Sequence, residues 1–424
     1  MDKVCSQPRC TEHEGWSRLN PDTTEFILSC LPISSIISCC TVCKQWYAIA
    51  TEPSFGARLR DHKKPWFFLY GQNNIFLKNN QAFGFDPEAH KWIRLPVSSF
   101  PESCAGDSLA GSGGFLFATT GSDCSRFCYA PVFAASWKET APMRFSRRQP
   151  LVGVFNVKKN YGFIVVGGSR FVGGLVDIED RLAVEIYDSG TDEWELCAPL
   201  PAEFRSGNSS QWLTSALLNG KFYVFGIFSG FMSAFDLELR SWDMVRILRP
   251  AGILFSFLIP CQGRLILAGL KNTADGPGFD LWKIDEETMG LCEVGSMPKE
   301  LLYSLFDNDE EDKFASLKCV GLGSLIYVFN EEHHKMYPAC VCEVSERLEC
   351  RWMKIPPLPV PVNRFHRVIS FCSIAAVDSI LGRKYPMLWG NEALSLKSSL
   401  VESGFGAERG YSSEQLLAIV CLRS

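Results

Sequence analysis

Short runs of β-branched and aromatic residues recur along most of the chain, and they usually end in glycine. Near-continuous apolar runs of this length indicate strands that are buried on both faces, and glycine permits a sharp turn at their ends. A further strand-like run precedes most of them, for example at 212–218 and 253–259. The pattern therefore predicts a chain built mainly from short strands. The principal runs lie at 67–71, 163–168, 222–226, 265–269 and 325–329.

An aromatic position repeats downstream of these runs at intervals of 45 to 61 residues. Four of the repeated positions follow an aspartate by six residues, as Trp92 follows Asp86. The aspartate side chain is expected to cap a tight turn, after which the aromatic residue begins the next strand. The repeated positions are Trp92, Trp137, Trp194, Trp242, Leu291 and Trp352, and the aspartates are Asp86, Asp188, Asp236 and Asp285.

A repeat of about 50 residues with four short strands per unit is typical of kelch β-propellers. The unit that contains Gly167, Gly168, Tyr187, Asp188 and Trp194 resembles the kelch repeat, and the other units match it in part. This resemblance implies a mainly β fold, in which a six-bladed kelch-type β-propeller over residues 66–378 follows a small three-helix segment.

Closure of the ring is predicted from both ends of the propeller. The first unit begins at Trp66 without a strand before it, and the strand-like run 367–372 follows the last unit without a partner of its own. We expect a closing strand at about 364–373 to complete the first blade, because such pairing removes two open sheet edges.

Residues 16–50 have a helical pattern instead. Asn20 before Pro21 is a helix N-cap with proline at the first helical position, and Pro32 begins a second helix. Ile33, Ile36 and Ile37 share one face of that helix, and 42–49 continue as a third. Because some 35 residues cannot bury this much aliphatic surface alone, the segment either packs on the propeller or binds a partner.

Three blocks of this segment resemble an F-box: Leu19, the run 27–32 and the run 42–46. The usual Leu-Pro start is altered here, since the proline is displaced to Pro21. The resemblance, in a plant-type arrangement with kelch repeats, implies the substrate receptor of an SCF-type ubiquitin ligase that binds a Skp-family adaptor and, through it, a cullin scaffold. Core packing is an equal alternative for Trp46. The implied adaptor contacts are Leu19, Pro21, Leu31, Pro32, Val42 and Trp46.

The remaining segments give weaker signals. We expect a flexible N-terminus at 1–15, a linker at 51–65 and a polar C-terminal tail at 379–424. Residues 1–15 are polar and do not read as a secretory signal, which favours the cytoplasm, the nucleus or both.

Arginines concentrate in the loops that precede the first strand of each unit, and these loops should share one end of the propeller. A ring of arginines there would bind an acidic or phosphorylated segment of a protein substrate. For Arg205 and Arg364 a structural role is the stronger alternative, and the acidic run 307–312 would favour basic ligands instead. The candidate substrate contacts are Arg147, Arg148, Arg205, Arg249 and Arg364.

The composition of the chain argues against several classes of function. The net charge of −5 argues against bulk nucleic-acid binding, and no apolar run is long enough to span a membrane. The 18 cysteines are scattered without zinc-ligand spacing and are interpreted as reduced thiols in the core. Four histidines in the propeller region fit poorly with a copper oxidase, a known class of such propellers, and no catalytic motif is present. We therefore expect no catalytic residue, metal or cofactor, and the alternative to a ligase receptor is a kelch scaffold that binds cytoskeletal or signalling proteins.

Overall fold

The computed structural model describes residues 19–374 except for 41, 73–79, 96–103, 121–124, 133–135, 158–159, 169–181, 207–210, 275, 307–313, 332–336 and 360–366. The expected N-terminus and C-terminal tail, together with Arg364 and the acidic run 307–312, lie outside the described residues. The chain divides into two compact units, of which one holds the N-terminal helices and the other spans Lys64–Ala375.

The N-terminal unit contains four helices within its described residues, one more than the sequence predicts. The fourth helix lies where we expected a linker at 51–65. It forms because Pro53 occupies its first turn, and because Phe55 and Leu59, four residues apart, are both buried. The helices are α1 Pro21–Cys30, α2 Ile33–Cys39, α3 Lys44–Thr51 and α4 Pro53–His62.

The second unit is a six-bladed β-propeller, which confirms the predicted fold. Blade 1 consists of Arg367–Ser373, Trp66–Gln72, Gln81–Asp86 and Lys91–Leu95. Blade 2 consists of Cys104–Ser112, Phe115–Thr120, Arg126–Pro131 and Lys138–Glu139. Blade 3 consists of Leu151–Val157, Asn160–Val166, Val184–Asp188 and Glu193–Cys197.

Blades 4 to 6 follow the same antiparallel plan. Blade 4 consists of Leu213–Leu218, Lys221–Gly226, Phe231–Asp236 and Ser241–Trp242, with Arg246–Ile247 also paired to the third strand. Blade 5 consists of Ile253–Cys261, Arg264–Thr273, Gly276–Ile284 and Leu291–Ser296. Blade 6 consists of Leu317–Leu322, Leu325–Asn330, Ala339–Val344 and Cys350–Lys354. A short helix α5, Lys299–Tyr303, and two 3₁₀ turns, Ala202–Ser206 and Phe314–Ser316, lie between strands.

Blade 1 joins the two ends of the propeller sequence. Its strand Arg367–Ser373 pairs antiparallel with Trp66–Gln72, so that Trp66 faces Ser373 and Gln72 faces Arg367. The rings of Phe68 and Phe371 stack across this pair with centroids 5.3 Å apart. The last strand of the propeller therefore completes a sheet with the first.

Aromatic contacts between neighbouring blades form much of the core. The rings of Phe67 in blade 1 and Tyr327 in blade 6 stack with centroids 5.0 Å apart, and those of Phe117 in blade 2 and Phe163 in blade 3 meet edge to face at 5.0 Å. All four side chains are at most 1% exposed. The apolar runs seen in the sequence are thus strands buried on both faces.

The repeated aspartates cap the turns between third and fourth strands. Asp236 Oδ1 accepts backbone N–H bonds from Glu238 and Leu239, both at 2.9 Å, and Asp285 Oδ1 accepts them from Glu287 and Thr288. Asp86 makes the same two bonds in blade 1. These bonds lower the pKa of Asp236 and Asp285, because they stabilise the carboxylate.

The repeated tryptophans connect one blade to the blade before it. Trp242 Nε1 of blade 4 donates to the carbonyl oxygen of Ala198, which follows the last strand of blade 3, at 3.0 Å. Trp194 of blade 3 donates to Ala141 O and Trp92 of blade 1 donates to Pro356 O, both at 2.8 Å. The repeated tryptophan position thus corresponds to a hydrogen bond between blades as well as to a packing position.

The cysteines of the propeller lie largely in its apolar interior. Cys261, Cys319, Cys340 and Cys342 are free thiols that are at most 5% exposed and belong to one hydrophobic cluster with residues of blades 5 and 6. Burial raises the pKa of Cys261 to about 12 and that of Cys340 to about 11. These groups are therefore protonated at neutral pH and pack as small apolar side chains.

Candidate functional site

Two parts of the chain are candidates for contact with other proteins: the helical unit and the loops at one end of the propeller. In the helical unit, Asn20 caps α1, since its Oδ1 accepts the Thr23 N–H at 2.7 Å and Pro21 occupies the first turn. Pro32 precedes α2, and the Cys43 Sγ accepts the Trp46 N–H at the start of α3. The prolines and caps seen in the sequence therefore set the ends of the helices.

The aliphatic face of α2 holds the helices together. Ile33, Ile36 and Ile37 are at most 3% exposed, and Leu28 of α1 and Ala50 of α3 are equally buried. An ion pair between Arg58 of α4 and Glu25 of α1 adds a link at the surface of the unit. Ile36 and Ile37 thus pack within the helical unit.

The six predicted adaptor contacts lie at or near the surface of the unit. Pro21 is exposed, and the other five are half-buried: Leu19, Leu31, Pro32, Val42 and Trp46. All six occupy the ends of helices or the first turn of α3. Their role in adaptor binding stays a prediction, which their partial exposure permits.

Two exposed aromatic residues of the helical unit were missed by the sequence reasoning. Phe26 of α1 is 70% exposed and Tyr47 of α3 is 46% exposed, although α1 and α3 pack against each other. Phe26 lies within the apolar run 26–28, where only burial could distinguish it from Leu28. Exposed aromatic side chains are enriched at protein interfaces.

At one end of the propeller lie the loops that lead into each first strand and the loops that join second to third strands. We call this the open end; the remaining turns form the opposite, turn end. The sequence places its candidate arginines in the open-end loops, and the structure gives these arginines different surroundings.

Arg147 is fully buried, so the prediction that it contacts a substrate is wrong. Its Nη2 lies 2.7 Å from Glu185 Oε2, and its Nη1 donates to the carbonyl oxygens of Gly167 at 2.6 Å and Ala183 at 2.9 Å. Burial lowers the pKa of the guanidinium, whereas the charge of Glu185 and its hydrogen bond raise it. Arg147 therefore fastens the loop before blade 3 to the second and third strands of that blade.

Three of the other candidate arginines are exposed, and Arg364 lies outside the described residues. Arg205 Nε donates to Ala202 O at 2.9 Å within its own 3₁₀ turn, and Arg148 is held by a backbone bond from its N–H to Gly168 O. No ion pair joins Arg205 or Arg249 to a carboxylate within the described residues. Both guanidinium groups therefore face solvent without an acidic partner there.

Three exposed apolar side chains lie at the open end of blades 4 and 5; we call Trp212, Phe228 and Leu254 the Trp212 face. They are 51%, 43% and 49% exposed. The rings of Trp212 and Phe228 have centroids 5.6 Å apart, and Phe228 lies 5.9 Å from the ring of buried Phe255. The sequence pattern assigned Trp212 to a strand. The available signal for a different role was that Trp212 does not occupy the tryptophan position of the 50-residue repeat.

A groove of about 460 Å³ lies at the outer part of blade 4, and several polar side chains that line it are bonded to one another. Lys221 Nζ lies 2.9 Å from Asp243 Oδ2, and Tyr223 Oη donates to Glu286 Oε2 at 3.0 Å. The bond to Asp243 raises the pKa of Lys221. The Tyr223 bond joins blade 4 to blade 5, whereas the Lys221 pair lies within blade 4.

The described ranges also bear on metal binding and membrane insertion. No three His, Cys, Asp or Glu side chains come together there as a set of metal ligands. None of the helices in that part of the chain has the length and apolar character needed to cross a membrane.

Comparison with known proteins identifies both units. The family model described as F-box domain matches residues 16–58, which reaches into α4. The F-box/kelch-repeat protein At1g23390 of Arabidopsis thaliana is 30% identical over 376 residues, which cover 85% of this chain and 91% of that protein. This chain belongs to the F-box/kelch-repeat proteins. F-box only protein 6 of the same plant is 21% identical over 83% of this chain and 72% of its own length.

Among solved structures, a putative 6-phosphogluconolactonase from Bacteroides uniformis matches with a TM-score of 0.39 and 12% identity over 73% of this chain and 100% of its own. Similarity at that level says nothing more about this F-box/kelch-repeat protein. Within the family, the F-box match assigns the helical unit, and the repeated blades account for the kelch part of the name.

Proposed function

We propose that this F-box/kelch-repeat protein is the substrate receptor of an SCF-type ubiquitin ligase. In this proposal the F-box helices bind a Skp-family adaptor, which joins a cullin scaffold, and the propeller binds the protein to be ubiquitinated. The protein itself has no catalytic role, needs no cofactor, and acts in the cytoplasm, the nucleus or both. The observation that carries the proposal is the F-box match at residues 16–58 in a chain whose remaining described residues form a propeller.

The helical unit supports adaptor binding through the surface it leaves exposed. Leu31 and Pro32 are half-buried between α1 and α2, and Phe26 and Tyr47 expose 70% and 46% of their surface. A unit of this size cannot bury all its apolar side chains internally. The apolar residues left at its surface suit a partner that covers them, since aromatic and aliphatic anchors supply most of the binding energy in protein interfaces.

Co-precipitation of a plant Skp-family adaptor with the full chain tests this part of the proposal. We expect capture by the wild-type chain and a loss of about tenfold or more in affinity for Leu31→Ala with Pro32→Ala, because anchor residues typically contribute about 2 kcal/mol or more each. Phe26→Ala with Tyr47→Ala serves as a second variant. Because this second variant changes exposed side chains, its helical circular-dichroism signal should match that of the wild-type chain.

Gln45→Ala is the matched control, because Gln45 is an exposed polar residue on the same α3 helix as Tyr47. It should bind the adaptor as the wild-type chain does. Failure of the wild-type chain to capture any Skp-family adaptor would contradict the ligase proposal. That outcome would favour the alternative, a scaffold that binds cytoskeletal or signalling proteins through the propeller.

A further inference from the structure

We propose that the Trp212 face, together with Arg205 and Arg249, binds an acidic segment of a target protein that carries an aromatic or aliphatic side chain. The inference rests on the proposed function in one respect: it names the place and the chemistry of target binding by the propeller.

The Trp212 face has the character of an interaction site because its members are large, apolar and exposed, and its two aromatic members are in contact. Most large apolar side chains of the propeller are nearly inaccessible, whereas Trp212, Phe228 and Leu254 each expose between 43% and 51% of their surface. Trp212 and Phe228 are in ring contact at 5.6 Å. Exposed apolar clusters of this kind mark protein interaction sites, and tryptophan is enriched among the residues that contribute most to binding.

Backbone hydrogen bonds hold the face in place across two blades. Ile227 N–H donates to Trp212 O at 2.9 Å, which ties the loop that carries Phe228 to the start of the first strand. Ser256 N–H donates to Ile227 O at 3.0 Å, which ties the first strand of blade 5 to the same loop. A face that is already ordered binds with a smaller loss of conformational entropy.

Leu254 reaches the surface through an irregularity in its strand. The pairing of the first two strands of blade 5 shifts between Ile253 and Phe255, which makes Leu254 the extra residue of a β-bulge. Phe255 next to it is 5% exposed and packs toward Phe228, whereas Leu254 is 49% exposed. The bulge therefore directs one apolar side chain out of the core, next in the chain to the residue that packs on Phe228.

Two exposed arginines at the same end of the propeller add positive charge to this region. Arg249 lies beside Gly230, two residues after Phe228, since a Cβ at Gly230 would come within 3.4 Å of the Arg249 Cβ. Arg205 follows Phe204, whose ring lies 6.2 Å from that of Phe231 at the same end of blade 4. Unpaired guanidinium groups bind carboxylates through two parallel hydrogen bonds, so an acidic segment is complementary.

A protein segment fits these residues better than a nucleic acid does. The 3₁₀ turn that contains Arg205 also contains the exposed Glu203, so the local excess of positive charge is small. The whole chain has a net charge of −5. Nucleic-acid binding depends on many cations that contact successive phosphates. Two cations beside an apolar cluster instead match a short segment with one apolar anchor and flanking carboxylates.

A phage-displayed library of random 12-residue peptides, selected on the full chain, tests the inference. We expect the enriched peptides to contain an aromatic or aliphatic residue flanked by Asp or Glu. The most enriched peptide is then labelled with fluorescein, and its affinity is measured by fluorescence anisotropy. We expect two double variants, Trp212→Ala with Phe228→Ala and Arg205→Glu with Arg249→Glu, to bind this peptide about tenfold more weakly or worse than the wild-type chain does.

Matched controls come from the turn end of the same propeller. Leu239→Ala removes an apolar side chain that is 74% exposed in the turn of blade 4, and Arg347→Glu reverses an exposed charge in the turn of blade 6. Both should leave peptide binding unchanged. If the open-end variants have the same thermal unfolding temperature as the wild-type chain, their loss of binding is local.

Enrichment of basic peptides, enrichment of none, or equal binding to the open-end variants would each overturn the inference. Selective binding of single-stranded RNA in place of acidic peptides would do so as well. Adaptor capture by the same preparation separates the two proposals. If the chain binds the adaptor and no acidic peptide depends on the Trp212 face, the inference fails while the ligase proposal stands.

Discussion

The loops that lead into blade 3 and blade 5 each carry an arginine four residues before the first strand, Arg147 and Arg249. Arg147 is buried and paired with Glu185, whereas Arg249 is exposed and has no acidic partner within the described residues. The position that corresponds to Glu185, three residues before the turn aspartate, is Trp282 in blade 5. The loop arginine of blade 3 thus has a carboxylate partner at this position of the third strand, and the loop arginine of blade 5 does not.

This comparison extends to the two ends of the propeller. At the turn end, aspartate caps and backbone bonds occupy nearly the same places in several blades, as Asp86, Asp236 and Asp285 show. At the open end the same plan supports a buried ion pair in blade 3 and the exposed Trp212 face in blades 4 and 5. Repetition therefore fixes the frame, and individual loop residues decide which part of it can bind a partner.

The largest effect should come from breaking the buried pair. We expect Arg147→Met to lower the free energy of unfolding by about 3–5 kcal/mol, because it leaves the Glu185 carboxylate buried without its partner. Urea unfolding followed by tryptophan fluorescence measures the loss. Adding Glu185→Gln should recover part of it, since the introduced amide is uncharged and its oxygen could still accept the Arg144 N–H.

Arg249→Ala is the matched control for that experiment, and its free energy of unfolding should stay within about 0.5 kcal/mol of the wild-type value, as is usual for exposed side chains. Equal losses for the blade 3 and blade 5 variants would contradict the distinction between a framework arginine and a surface arginine.

A smaller effect should distinguish tryptophans that occupy the same repeat position. Trp242→Phe removes the indole donor to Ala198 O and should cost about 1 kcal/mol through that bond. The Trp352 indole N–H has no hydrogen-bond partner within the described residues, so Trp352→Phe should cost less. Urea unfolding of the two variants measures this difference, and an equal cost would show that ring packing alone determines the repeat.

The smallest effect should appear at acid pH in the turn-end caps. The folded-state pKa values of Asp236 and Asp285 are lowered, so these residues stabilise the fold above the ordinary aspartate pKa and lose that contribution as the pH falls through the lowered values. Asp236→Asn with Asp285→Asn should therefore flatten the decline of stability between about pH 4 and pH 2.

Thermal unfolding across this pH range measures the effect of the caps. Glu238→Gln changes a carboxylate in the same turn as Asp236 and should leave the pH profile as it is in the wild-type chain. A profile that steepens in the double variant would show that the aspartates do not act as caps.

Most of the fold could be predicted from the sequence, because its signals act over short distances. The N-cap at Asn20, the aspartate turns and the strand periodicity each depend on residues within about six positions. The linker prediction at 51–65 failed because Phe55 and Leu59 form a helix face that is too short to identify without its packing partners.

The candidate sites were harder to predict from the sequence, because sequence signals act over short distances and exposure depends on distant contacts. Phe26 and Leu28 lie in one apolar run, yet one is 70% exposed and the other 1%. The exposed Trp212 and Phe228 likewise lie within or beside strand-like runs that otherwise supply core residues. Exposure depends on which elements pack against a side chain, and periodicity gives only the face of its own element.

The sequence by itself determined the repeat, the number of blades, the start of the helices and the turns between strands, since local hydrogen bonds and hydrophobic periodicity specify all of these. The tertiary structure alone decided the surroundings of the arginines and the position of the exposed aromatic residues. Arg147 and Glu185 are 38 residues apart in the chain and meet only when blade 3 has formed. Burial and ion pairing arise from such distant contacts, which no local pattern encodes.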